Sequence, residues 1–279
     1  MSEYIGKLNG WRIGEEDFAY LDSLGGEGDV LAMRGNYQET FFDPKKRLIL
    51  RVENQGQMGS CQGNALSTGV EWITFLITGD KDIQLSRSFA YYMTQELDGI
   101  RGDKGSTISG GVKLASGTGI PLEKFWQYSD KYNPRKPDGW DAIIASATRF
   151  KIGNKVKLRQ YDAVRTFLGS NQGPVHIGIA WPRGMDQAVL ENYNRGSGGG
   201  HSVELICLSE RKDSQGRPYV WMINSWGERW ANGGWSEWSP AAIEQMFGHR
   251  FTEMIGISDL PNAEPRELSF QEFQDGIIV

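Results

Sequence analysis

Gln55-Gly56-Gln57-Met58-Gly59-Ser60-Cys61-Gln62-Gly63-Asn64-Ala65 joins a glycine-rich turn to a helical pattern, with a cysteine at the junction. Leu66, Val70, Ile73 and Ile77 then recur three or four residues apart, so the spacing predicts a helix over 60–78 with one apolar face. Gly79-Asp80 supplies its stop. Cys61 falls in the first turn, where unpaired N–H groups and the positive end of the helix dipole favour a thiolate over a thiol. Gly56 and Gly59 let the backbone approach a ligand closely. Gln55, six residues before the cysteine, offers the amide donor that an oxyanion needs beside a nucleophile.

Two distant stretches complement this one. Gly198-Gly199-Gly200-His201 sets an imidazole at the end of a glycine run, just before a predicted apolar strand over 203–208. Trp221-Met222-Ile223-Asn224-Ser225-Trp226-Gly227-Glu228-Arg229-Trp230 sets an Asn after a short apolar strand, among indoles. Cys, His and Asn so far apart converge only through a fold, and together they make a thiolate, a proton carrier and a group that orients the carrier.

Gln55 and Cys61 six positions apart, Gly200-His201, and Asn224-Ser225-Trp226-Gly227 resemble the papain-type cysteine peptidases. The segment 52–61 is most similar to the bacterial and phage branch, and the resemblance spans about residues 40 to 245 in order. It implies an α+β, two-lobed fold with a cleft between a helical lobe carrying the nucleophile and a β-barrel-like lobe carrying His and Asn. It implies that Cys61 attacks a peptide carbonyl as a thiolate paired with the His201 imidazolium. His201 then protonates the leaving amine and activates water against the thioester. Asn224 holds the ring, Trp226 shields that contact, and the Cys61 N–H with the Gln55 side chain receives the oxyanion; Gln57 is the rival to Gln55, and the offset favours Gln55. Gly110 and Gly111 match a segment along which an extended peptide pairs, with a plain glycine-rich helix start as the equal alternative. Gly178 and Ser202 match positions bordering the second specificity pocket, and their small size implies a roomy one. Two residues depart from the family pattern: Gln62 replaces a Trp after the nucleophile, and Gly200 replaces an Asp before the His.

The 279 residues, 39% hydrophobic and 11% aromatic, suffice for one large domain or two packed ones. A net charge of −5 gives no reason to expect nucleic acid or an anionic membrane as partner, and no apolar run is long enough to span a bilayer. The first residues show no charged segment leading into an apolar one, so we expect no secretory signal and a cytoplasmic or virion-associated protein. The only two cysteines are Cys61 and Cys207, and Met58 stands where relatives often have a bridging cysteine. That fits a reducing compartment or a scaffold without bridges, with Cys207 read as a buried strand thiol. No Cys/His cluster has metal-ligand spacing, so neither metal nor cofactor is expected. His176 is read as structural, and His249 as a helix-terminal or surface residue.

Residues 1–35 are acidic and glycine-punctuated, with a short helix around 18–24; they either pack on the body or block the cleft. The helical lobe covers 36–150: an extended run at 48–52, helices near 60–78, 86–97 and 110–116, then a long irregular connection to about 150. The β-rich lobe covers 151–260, with strands near 156–160, 174–180, 203–208, 219–224 and 234–238. A short helix is expected near 163–168 and another near 240–247, then an extended stretch at 251–257. The acidic tail, 261–279, is expected to be peripheral. A polypeptide substrate is implied; a partner protein or particle is not visible in the sequence. Two rivals share these motifs: a peptidoglycan amidase or transpeptidase, and a virion component that retains the fold.

Overall fold

The computed structural model describes residues 11–12, 15–32, 38–41, 43, 50–181, 185, 187–194 and 199–262. The chain begins with β1 (Trp11–Arg12), α1 (Glu15–Ser23) and α2 (Glu27–Ala32). The helical lobe follows: α3 (Cys61–Thr78), α4 (Arg87–Leu97), β2 (Ser106–Thr107), α5 (Ile108–Gly117), a 3-10 turn (Glu123–Phe125) and α6 (Trp140–Arg149). Then come β3 (Asn154–Lys157), α7 (Tyr161–Gly169), β4 (Val175–Ala180), β5 (Val189–Leu190), β6 (Gly200–Lys212), β7 (Pro218–Ile223), β8 (Trp235–Trp238), α8 (Pro240–Phe247) and β9 (Glu253–Ser258). Helices before about 150 and strands after it give the expected α+β lobes.

β3-β9-β4-β6-β7-β8-β5 form one sheet, antiparallel except for the β5–β8 pair. β6 lies at its centre. Val203 and Leu205 join the core that Ile177, Ile179, Trp181, Val220 and Trp238 build on one face. A register shift between Leu205 and Cys207 re-aims the strand, and Ile206 and Cys207 pack with Trp72 and Phe75 of α3. The nucleophile-bearing helix is thus seated on the sheet, and each fully buried aliphatic there contributes about 2 kcal/mol.

The prediction of a one-faced helix over 60–78 needs correcting. In α3 every residue from Cys61 to Phe75 is buried, including Gln62, Asn64, Glu71 and Thr74. The helix is central, with α4 against one side and β6 against another. Gly63 permits that approach: a Cβ there would lie 2.8 Å from the Tyr91 nitrogen. Gly79 ends the helix at φ 72°, donating to the Phe75 carbonyl.

The expected irregular connection up to 150 contains α6, which the sequence reading missed. Gly139 precedes it in the left-handed region, and Ile143 and Ala147, four apart, are its buried contacts. They pack with Phe89, Leu114 and Trp126. The Pro134–Pro137 stretch hides this short amphipathic pattern. β3 begins two residues earlier than expected, and β5 was not foreseen. The N-terminal helices pack on the body: Leu21 is fully buried, and Asp22 pairs with Lys157. Residues 1–10, 48–49, 196–198 and 263–279, on which parts of the expected extension, extended run, glycine run and tail fall, lie outside the described residues.

Candidate active site

Ser60 caps α3 with no side-chain bond to the helix backbone; instead Asn64 Nδ2 donates to the Ser60 carbonyl and hydroxyl, each at 3.0 Å. Tyr128 closes the turn from outside. Its hydroxyl donates to the Gln55 carbonyl at 2.9 Å and lies 2.6 Å from Ser60 Oγ. Cys61 is thereby held at the mouth of the helix, fully buried. The backbone N–H groups of Ser202, Gln62 and Cys61 itself each act to lower its thiol. These donors favour the thiolate, yet burial outweighs them and pushes the thiol up to about 12. Burial and the donors at the helix mouth thus act on this group in opposite directions.

His201 lies within β6 rather than ahead of it, because the strand begins at Gly200 and pairs through Ile179 of β4. Its Nε2 meets Asn224 Oδ1 at 2.8 Å. Trp226 stacks on the ring at 4.5 Å between centroids, and Trp181 approaches edge-on at 4.8 Å. Nδ1 makes no hydrogen bond to protein. Burial lowers the imidazole to about 4, against the opposing hydrogen bond from Asn224. Ser202, next to His201 on β6, is the leading backbone group that lowers the Cys61 thiol against its burial.

Asn224 leaves β7 with its N–H on the Gly234 carbonyl, and its Oδ1 also accepts the Ser225 N–H at 2.8 Å. Ser225 in turn donates its hydroxyl to Gln55 Oε1 at 2.7 Å, while the Gln55 N–H donates to the Ser225 carbonyl. The amide of Gln55 is therefore oriented, with Nε2 toward the turn and 3.0 Å from the Met58 carbonyl. Ser225 and Trp181 went unassigned in the sequence reading. Ser225 stood inside the quoted Asn-Ser-Trp-Gly motif; Trp181 ends an alternating strand and carried no separate signal.

Gly178 pairs with Ser202 on one side and Glu253 on the other, so the two small residues assigned to a pocket are neighbours beside His201. Trp226, for which the resemblance also implies a place among the substrate-binding residues, is 3% exposed and stacks on the imidazole, so its observed contact is with His201. Gly110 and Gly111 require a correction too. They lie inside α5, and the Gly110 N–H is capped by Thr107 Oγ1 at 2.8 Å. A Cβ on Gly111 would lie 1.8 Å from Gln62 Nε2, so these glycines serve close helix packing and offer no extended edge. His176 is fully buried, its Nδ1 paired with the Glu204 carboxylate. Among the described residues no cluster of His, Cys, Asp and Glu suits a metal, and no helix is long and apolar enough to cross a membrane.

Comparison with known proteins follows this geometry. A family model described as papain family cysteine protease matches residues 39–247. Chymopapain of Carica papaya is 25% identical over 228 residues, covering 79% of this chain and 60% of that protein. A probable cysteine protease of Arabidopsis thaliana, RD19B, is 26% identical over 211 residues, covering 71% of this chain and 57% of its own. The chain thus spans about three fifths of the length of these curated relatives. Xylellain, a cysteine protease from Xylella fastidiosa, superposes with a TM-score of 0.64 at 20% identity, over 92% of this chain and 99% of that one. A digestive procathepsin L 3 of Tenebrio molitor gives 0.62 at 16% identity, over 92% and 76%. At such identities these structures show the shared fold.

Proposed function

Because this chain belongs to the papain family of cysteine proteases, we propose that it is a cysteine endopeptidase acting on polypeptides through Cys61, His201 and Asn224. The observation that carries the reading is the His201 Nε2 to Asn224 Oδ1 contact beneath Trp226, on the sheet against which the helix of Cys61 packs. With the Cys61 proton taken up by His201, attack by the sulfur on the peptide carbonyl forms a tetrahedral oxyanion. The Cys61 N–H and Gln55 Nε2 are its donors, each worth about 3 kcal/mol of transition-state stabilisation. Collapse expels the amine, protonated by His201, and leaves a thioester at Cys61. Water activated by the same imidazole hydrolyses it.

For this chemistry the site must first be opened to substrate, since Cys61 and His201 are both fully buried. The N-terminal segment supplies the cover in our reading. β1 runs parallel to β2, Trp11 opposite Ser106 and Arg12 opposite Thr107, and it also approaches β6. It thus reaches both the helical lobe and the strand of His201. The resemblance sets a roomy pocket beside Gly178 and Ser202, which we expect to accept a large apolar side chain; no gain from Phe or larger residues there in a peptide library counts against it.

Incubation with an epoxide or fluoromethyl-ketone peptide tests the core reading. We expect one adduct at Cys61, lost in Cys61→Ala, together with hydrolysis of denatured protein. Absence of any adduct in a chain lacking residues 1–14 sinks it, and cleavage of muropeptides alone redirects it to a peptidoglycan amidase.

A further inference from the structure

The turn that carries the nucleophile is fastened by a carboxylate that lies outside the triad. Asp103 Oδ1 accepts the Gly59 N–H at 2.7 Å and the Tyr91 hydroxyl at 3.0 Å. Gly59 lies two residues before Cys61, at the least restricted point of the turn. Asp103 is itself held firmly. Gln95, one turn beyond Tyr91 on α4, donates its two Nε2 hydrogens to the carbonyls of Gly102 and Gly105 at 2.9 and 2.8 Å, with that nitrogen 3.1 Å from the Tyr91 hydroxyl. The Gly105 N–H returns to the Tyr91 hydroxyl at 3.3 Å. Tyr132 completes the loop, donating to Gln95 Oε1 at 3.3 Å and accepting the Gly102 N–H at 3.1 Å.

The phenol of Tyr91 thus donates its O–H to Asp103 and accepts the Gly105 N–H. α4 is the rigid member, and the loop 99–105 is tied to it on both sides of Asp103. The loop runs directly into β2, the strand that faces β1. One network therefore sets both the catalytic turn and the strand beside it. No covalent tie competes with it: neither Cys61 nor Cys207 forms a disulfide. Met58, beside Gly59, packs its thioether against Tyr92, whose hydroxyl lies 3.6 Å from the sulfur.

We infer that Asp103 is a positioning residue for Cys61, a charged hydrogen-bond clamp that holds the nucleophile's turn in the register its chemistry requires. Two donors on one anionic oxygen make a strong, directional hold. Losing it leaves Gly59 free to drift, and displacements near 1 Å at a reacting atom cost roughly 100-fold in rate. The inference rests on Cys61 being the nucleophile, so the test includes a readout that needs no catalysis.

Asp103→Ala and Asp103→Asn are compared with wild type in the full chain. The Asn variant keeps an acceptor oxygen of the same reach. We expect Asp103→Ala to lower kcat about 30-fold with KM within threefold, and Asp103→Asn to recover to within about fivefold of wild type. Amide exchange of the segment 55–60, read by mass spectrometry, should quicken about tenfold in the Ala variant and return in the Asn variant. Unchanged exchange in that segment overturns the clamp whether or not the protein is a peptidase. Unchanged kcat with faster exchange overturns the positioning role. A wild type that hydrolyses nothing while exchange responds as expected strikes the functional reading alone. Should Asp103→Ala fail to fold, Tyr91→Phe, which removes one of the two donors, carries the test: kcat lower by about fivefold supports the clamp, and kcat equal to wild type overturns it.

Discussion

His201 shows how far a residue's surroundings depart from what its sequence motif implies. The motif predicts an imidazolium paired with a thiolate, yet two indoles and the strand itself exclude water, and burial drops the imidazole to about 4. The sign for stability follows directly. Between the ordinary value of 6.5 and 4 the unfolded chain binds a proton that the folded chain refuses, so stability falls as pH falls through that window. Trp226 is the larger contributor by geometry, since it covers the ring face rather than one edge. Replacing it with Ala should admit water and move the His201 titration upward toward its usual range, with a matching loss of the Asn224 contact's shielding. Titration of the ring nitrogens by NMR in wild type and Trp226→Ala checks this; identical midpoints refute it. Asn224→Ala should lower kcat by about 10- to 100-fold with little change in KM, because it frees the ring to rotate without touching substrate binding. Steady-state kinetics decides, and a rise confined to KM speaks against the role.

At the scale of elements, α3 and α8 were legible because each carries its own punctuation: Gly79 in the left-handed region, and Ser239-Pro240 with the Ser hydroxyl capping Ala242. The Gly110-Gly111 assignment failed because a glycine pair reads equally as edge and as packing surface, and only Thr107 acting as cap settles it. α6 was missed because its two buried positions are too few to stand out from the prolines before it. What joins α6 to α5 is also invisible in sequence. Gly119 sits at φ 88°, and a Cβ there would lie 2.0 Å from the Ala147 carbonyl oxygen. Gly119→Ala should therefore destabilise by about 3 kcal/mol, through strain at positive φ and displacement of α6; an unchanged urea midpoint contradicts this. The N-terminal elements separate in the same way. Removing residues 1–14 takes away β1 and leaves α1, whose Leu21 is fully buried, so labelling of Cys61 should quicken with folding intact. Removing residues 1–35 also strips Leu21 and Val30 from the core, which should lower the melting temperature by several degrees for about 3–5 kcal/mol of lost burial. Equal labelling rates with and without residues 1–14 count against β1 as the cover.

For the molecule as a whole, the decisive quantity is how many protons the fold holds against the unfolded chain. The motifs locate the reacting groups, but burial belongs to the assembled lobes and sets their charge. Glu71 makes the point away from the site. It lies in the buried middle of α3, accepting the Leu85 N–H at 2.7 Å, and burial, then repulsion from Glu53, raises it from 4.5 to about 8. Glu123 and Glu204 are raised as well, chiefly by burial. Between 4.5 and 8 the folded protein keeps a Glu71 proton that the unfolded chain has released, so stability falls as pH rises, by up to about 1.4 kcal/mol per unit for a full proton. His201 slopes the other way between 6.5 and 4. The two trends oppose each other where the windows overlap, from 4.5 to 6.5, and Glu71 acts without that opposition from 6.5 to 8. The stability curve should accordingly be shallow in the acid range and drop toward pH 8. Glu71→Gln keeps an acceptor for Leu85 while removing the ionisation, so it should match wild type near pH 4 and melt at higher temperature at pH 8. Thermal unfolding at pH 4, 6 and 8 measures both slopes at once, and a Gln variant no more stable than wild type at pH 8 would show that Glu71 gives up its proton without cost to the fold.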